Sequence, residues 1–139
     1  MERLSKAKFD IHWMTRKDGD PHTPLFFNAA KGDINKLRLY LKEQRDPALK
    51  FAVDQHKRSP MHIAAMEGRT GTLELLLMHG FNPNARDRVL RTPLHLAALY
   101  GWDACGDTLL RTGGDILARD SLGRSAVHFA ACGPSAVLL

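Results

Sequence analysis

A string of seven residues recurs along this chain at a fixed interval, and that recurrence limits the possible folds more than any other feature. Thr92-Pro93-Leu94-His95-Leu96-Ala97-Ala98 has a counterpart 33 positions earlier, Ser59-Pro60-Met61-His62-Ile63-Ala64-Ala65 (59 to 92). Another lies 33 positions later, Ser125-Ala126-Val127-His128-Phe129-Ala130-Ala131 (92 to 125). A variant copy, Thr23-Pro24-Leu25 with Ala29, Ala30 and Gly32, stands 36 positions before the second (23 to 59), so three extra residues separate it. A fixed period of this size belongs to a stack of like units, each in contact with its neighbours, and not to one centred core.

Each copy reads as a pair of helices. Thr92 is a good N-cap and Pro93 suits the first helical position, where its missing N–H costs nothing. Leu94, Leu96, Ala97 and Ala98 make a small-sided apolar helix that Gly101 ends. A second helix is expected over about 103–112, with Gly113 placed to end it in a left-handed conformation. Two such short helices cannot bury their faces alone and need neighbours of the same kind. A 33-residue period with a Thr-Pro-Leu-His-x-Ala core resembles the ankyrin repeat family over about residues 18–139. The resemblance implies an all-α ankyrin repeat solenoid, with stacked helix-turn-helix pairs and short β-turn fingers. It divides the chain into an N-terminal extension (1–17) and repeats at about 18–53, 54–86, 87–119 and 120–139, the last truncated.

Composition agrees with a folded, soluble domain: 44% of the 139 residues are hydrophobic and 25% charged. No apolar run approaches the roughly 18 to 20 residues that a membrane helix needs. Residues 1–17 lack the apolar core of a secretory signal, and Glu2 and Asp10 interrupt the basic residues a mitochondrial presequence would need. Two cysteines, Cys105 and Cys132, make no disulfide framework, and a cytoplasmic or nuclear location is expected.

Leu4, Ala7, Ile11 and Met14 fall at helical spacing. They suit either a cap on the first repeat or a docking segment anchored by Phe9 and Trp13. In repeat one Phe26 replaces the histidine, and Ile34, Leu37, Tyr40 and Leu41 form the apolar stripe of a second helix. Gln44 stands where a glycine would end that helix, and the three-residue insertion after it is expected to form an extended loop. Repeat two has the richest second helix, with Leu73, Leu75, Leu76, Leu77 and Met78. Repeat three has the best first helix but a poor second one, which is expected to be the soft spot of the stack, because Asp103, Gly106 and Thr108 stand where the family buries Leu or Val. In repeat four Gly133-Pro134 ends the first helix. Val127, Phe129 and Ala136-Val137-Leu138-Leu139 then leave an apolar end, open to self-association or to further repeats.

His62, His95 and His128 recur at one motif position, but successive repeats hold them about 8–10 Å apart, whereas zinc ligands must converge to about 2.0–2.1 Å from one ion. The resemblance gives them hydrogen bonds within and between repeats. No phosphate loop, carboxylate pair or Ser/His/Asp constellation stands out, so neither catalysis nor a cofactor or metal is expected. The resemblance places partner contacts on a concave face, at the finger tips and the exposed ends of the first helices. Carried over residue by residue, these are His22, Gln55, His56 and Arg58, then Arg88, Val89 and Arg91, then Ser121, Leu122 and Arg124. The helix ends add Met66, Glu67, Leu99 and Tyr100, with Trp102 just beyond. The arginines along this row fit an acidic peptide groove with an aromatic anchor. Leu90 stands where the family turns a finger with glycine, so that finger is expected to be reshaped.

The expected function is therefore a non-enzymatic protein-interaction module or adaptor that holds a partner segment on the finger and first-helix face. Two alternatives are a structural wedge in a large assembly and, with a pI near 9.5, a basic nucleic-acid surface. The second is disfavoured because aromatic residues are thinly interleaved with the basic ones.

Overall fold

The computed structural model describes residues 23–132. Its helices are α1 (Thr23–Lys31), α2 (Ile34–Glu43), α3 (Pro60–Glu67), α4 (Thr70–Met78), α5 (Pro93–Tyr100), α6 (Asp103–Arg111) and α7 (Ala126–Cys132). Among the described residues there is no strand. No helix there is long and apolar enough to cross a membrane. The first helices α1, α3, α5 and α7 pack side by side in one layer, and α2, α4 and α6 form a second layer behind them. This is the helix-pair solenoid that the 33-residue period requires.

The two layers follow from two kinds of sequence. Six consecutive residues of α3, Pro60 to Ala65, are buried, and α5 is buried over Pro93–Ala97. A helix apolar on every side must have neighbours on every side. In contrast, α2 and α6 keep charged outer faces, with Leu37 and Leu41, and Cys105, Thr108 and Leu109, turned inward.

Both ends of the buried helices are closed by local chemistry. The hydroxyls of Ser59 and Thr92 accept the N–H groups of His62 and His95, whose Nδ1 atoms in turn accept the N–H groups of Ser59 and Thr92, both at 3.1 Å. Gly68 and Gly101 end α3 and α5 with φ of 72° and 75°, in the left-handed region that glycine tolerates. The residue after each glycine reaches back one repeat. Arg69 donates through Nε to the Ala30 carbonyl at 3.1 Å, and Trp102 donates through Nε1 to the Met66 carbonyl at 2.9 Å. The indole lies so close over Gly68 that a Cβ there would come within 2.7 Å of the ring.

Several sequence expectations need correction. The insertion after α2 is not an extended loop: Pro47–Phe51 forms a 3₁₀ turn, capped by Asp46 accepting the Ala48 N–H at 2.9 Å. That turn buries Leu49 against the stack. In α6, Asp103 occupies no core position. It is the exposed first residue, where a carboxylate favours the helix dipole, and Thr108 is the residue that is buried. Phe129 is covered rather than exposed, its ring meeting His95 edge-on at 5.0 Å beneath the Arg124 guanidinium. Val127 remains exposed. The 1–17 extension, His22 and the 136–139 apolar end lie outside the described residues.

Candidate interaction face

Between a second helix and the next first helix the chain makes a five-residue finger, and the three fingers share one construction. In the first, the Asp54 carboxylate accepts the N–H of His56 at 2.8 Å, the N–H of Arg58 at 2.9 Å and the Arg58 Nε–H at 2.8 Å. Asp87 does the same for Val89 and Arg91, and Asp120 for Leu122 and Arg124. Burial alone would push the Asp120 carboxyl up. The Arg124 and Leu122 N–H groups and the Arg124 side chain outweigh it and hold the group below the usual carboxylate range. The fingers are joined to one another by Arg88 N–H donating to the His56 carbonyl and Ser121 N–H donating to the Val89 carbonyl, at 3.0 and 2.9 Å.

Beneath each finger a histidine ties one repeat to the next. His62 Nδ1 accepts the Ser59 N–H, so Nε2 carries the proton and donates to the Arg91 carbonyl at 2.7 Å. His95 repeats the arrangement toward the Arg124 carbonyl at 2.8 Å. Burial pushes the pKa of His62 down to about 4, against the favourable Arg91 carbonyl and the Asp87 charge. Burial lowers that of His95 as well. These are neutral structural latches. Among the described residues no group of three His, Cys, Asp or Glu side chains could hold a metal ion. Cys105 is buried beside the Thr70 hydroxyl; burial raises its thiol pKa, with the hydroxyl hydrogen bond acting against this.

The arginines fall into two sets. Arg58, Arg91 and Arg124 are paired with buried aspartates, their side chains 11%, 29% and 49% exposed. Arg86, Arg88 and Arg119 are exposed and donate to carbonyl oxygens, those of Leu90 and Arg119, of Gln55 and of Gly123 respectively. The D-x-x-x-R spacing at 54/58, 87/91 and 120/124 was visible in the sequence and is the signal that separates them. Leu90 does not reshape its finger. It takes the left-handed conformation itself at φ 65°, as Lys57 does at 59°, where the third finger has Gly123 at 76°.

The other expected contact residues lie on the fingers and at the ends of the first helices. His56, Val89 and Leu122 are exposed at equivalent finger positions, while Met66 and Leu99 are half-buried at the ends of α3 and α5. Tyr100 and Trp102 are each 39% exposed beside them. A second concavity of about 900 Å³ opens on the other layer, between α4 and α6, lined by Glu74, Met78, Phe81, Thr108 and Thr112. Thr108 and Thr112, which line it, stand where the preceding repeat has Leu75 and His79.

A model of three ankyrin repeats matches residues 1–87, and a single ankyrin repeat matches residues 90–121. Similar stretches occur in proteins of very different kinds. The Arabidopsis thaliana serine/threonine-protein kinase VIK is 37% identical over 64 residues, 46% of this chain and 14% of that protein. The Homo sapiens transient receptor potential cation channel subfamily A member 1 is 36% identical over 64 residues, 46% of this chain and 6% of the channel. The Homo sapiens histone-lysine N-methyltransferase EHMT1 is 38% identical over 58 residues, 42% of this chain and 4% of the enzyme. The matched stretches thus span only a small part of each of these relatives.

Proposed function

Since this chain belongs to the ankyrin-repeat family, a family of protein-interaction modules, we propose that it is a non-enzymatic adaptor holding one segment of a partner protein on its finger face. The contact residues in this reading are His56, Arg58, Met66, Arg88, Val89, Arg91, Leu99, Tyr100, Trp102, Leu122 and Arg124. One observation carries it. Half-buried Met66 and Leu99 occupy one matching position of successive repeats and exposed Val89 and Leu122 another, with the Tyr100 ring following Leu99, on a frame fixed by buried latches. Aromatic and apolar side chains on a rigid support, rimmed by arginine, are what a protein-binding surface needs. The relatives' unlike names agree with a part that contributes binding and leaves chemistry to other segments. We assign the chain to the cytosol or nucleus on its cysteine usage.

A photoreactive amino acid placed at Val89 or Tyr100 tests the face. It is expected to crosslink a protein in cell lysate, whereas the same group at Lys36 on α2 is not. Equal capture from both sides, or capture from α2 alone, would remove the finger face from consideration.

A further inference from the structure

Among the described residues, four cations stand along the finger edge without a carboxylate partner: Lys57, Arg86, Arg88 and Arg119. The aspartates of the three fingers are buried and committed to Arg58, Arg91 and Arg124. Among the described residues the arginines at 86, 88 and 119 donate to carbonyl oxygens, which orient a guanidinium but leave its charge unbalanced. Between these cations sit exposed Val89, Leu90 and Leu122. Lys57 and Leu90 hold left-handed backbone at positions where Gly123 shows the unstrained choice. Such strain, where glycine would remove it, points to a side chain kept for what it does at the tip.

We infer that the finger edge binds an extended acidic segment of a partner protein with apolar residues between its carboxylates. This rests on the protein-binding reading and names the chemistry of the partner. Neighbouring repeats lie about 10 Å apart, and an extended chain advances about 3.3 Å per residue, so roughly three residues of the segment pass each finger. One carboxylate per finger can then meet a cation while the intervening residue lies on Val89 or Leu122. A nucleic acid would satisfy the charges, but the tips carry aliphatic side chains where single strands need aromatic stacking platforms.

The probe is a fluorescein-labelled peptide of repeated Glu-Leu-Ala units, compared with a scrambled peptide, a Lys-Leu-Ala peptide and a short oligothymidylate. The Glu-Leu-Ala peptide is expected to bind best, and Arg88→Gln with Arg119→Gln to weaken it about tenfold or more. Lys36→Gln with Lys42→Gln, on α2, should leave it unchanged. Because the arginines also hold carbonyls, Lys57→Gly and Leu90→Gly supply an independent reading. Each should raise the melting temperature by relieving strain and at the same time lower peptide affinity. Affinity unchanged by all these finger variants overturns the inference, as does tighter, steeply salt-dependent binding of oligothymidylate. If the crosslinks at Val89 and Tyr100 persist while the acidic peptide fails, only the acidic chemistry is lost. If those crosslinks also fail, the protein-binding reading falls with it.

Discussion

The two layers of this stack solve the same problem by opposite means. In the first-helix layer, α3 and α5 bury every residue of their first turns and beyond, Pro60–Ala65 and Pro93–Ala97, and polar groups enter there only where a partner is exact: Ser59 with His62, Thr92 with His95. The second-helix layer buries one stripe and varies the rest. Thr72, Leu73, Leu75 and Leu76 are buried in α4, but only Cys105, Thr108 and Leu109 in α6. Repeat identity thus resides in the layer where no substitution is local. Divergence is tolerated where one side faces water.

The largest expected effect follows from the histidine latches. The folded state holds His62 neutral down to about pH 4, whereas an unfolded histidine takes up its proton near 6.5. Between those values the unfolded state binds more protons, so the latch's contribution is complete above pH 6.5 and is lost as pH falls toward 4. The loss amounts to about 3 kcal/mol for His62, and His95, also lowered, adds to it in the same direction. Urea unfolding at pH 7 and pH 5 checks this, and about 2 kcal/mol of the His62 loss should already appear between those two values. His62→Gln should be less stable at pH 7 yet show a flatter pH dependence; a profile as steep as wild type would mean that the first layer is not latched this way.

A smaller effect, about 2 kcal/mol, is expected from Gly68→Ala. The left-handed backbone costs an alanine about 1 kcal/mol, and the new methyl meets the Trp102 indole. In a Trp102→Ala background only the backbone part should remain, so a double-mutant cycle should return a coupling of about 1 kcal/mol. Zero coupling would show that the indole swings aside freely and does not roof the preceding helix.

The first layer was legible because its signals are local and repeated: cap, proline, histidine, terminal glycine. The 3₁₀ turn was not, since Pro47-Ala48-Leu49-Lys50-Phe51 has no helical period and Leu49 is buried only by the neighbouring elements. Arg69 and Trp102 share a position but no chemistry, so their common task of reaching back over a glycine appears only in three dimensions. The finger arginines looked like one charged row because side-chain commitment is invisible in a composition count. The left-handed Leu90 shows the limit of propensity: three hydrogen bonds to the Asp87 carboxylate fix the finger and override a preference worth about 1–2 kcal/mol.

The smallest effect tests how finely the two second helices differ. Gly71 in α4 and Gly106 in α6 are both helical, and neither has a positive φ. Alanine is favoured over glycine in a helix interior by about 1 kcal/mol, chiefly because the unfolded chain loses freedom. At Gly106 a Cβ would meet Leu94 Cδ1 at 3.8 Å, an ordinary contact, so Gly106→Ala should stabilise by up to about 1 kcal/mol. At Gly71, within the first turn of α4, a Cβ would lie 2.6 Å from Ile34 Cδ1, so that terminal methyl must move. Its repacking against α2 should cancel some of the gain, leaving Gly71→Ala within about 0.5 kcal/mol of wild type. Thermal unfolding of the two variants side by side reads the difference. If Gly106→Ala destabilises, α6 is packed as tightly as α4, and the contrast between a rich and a trimmed second helix does not hold.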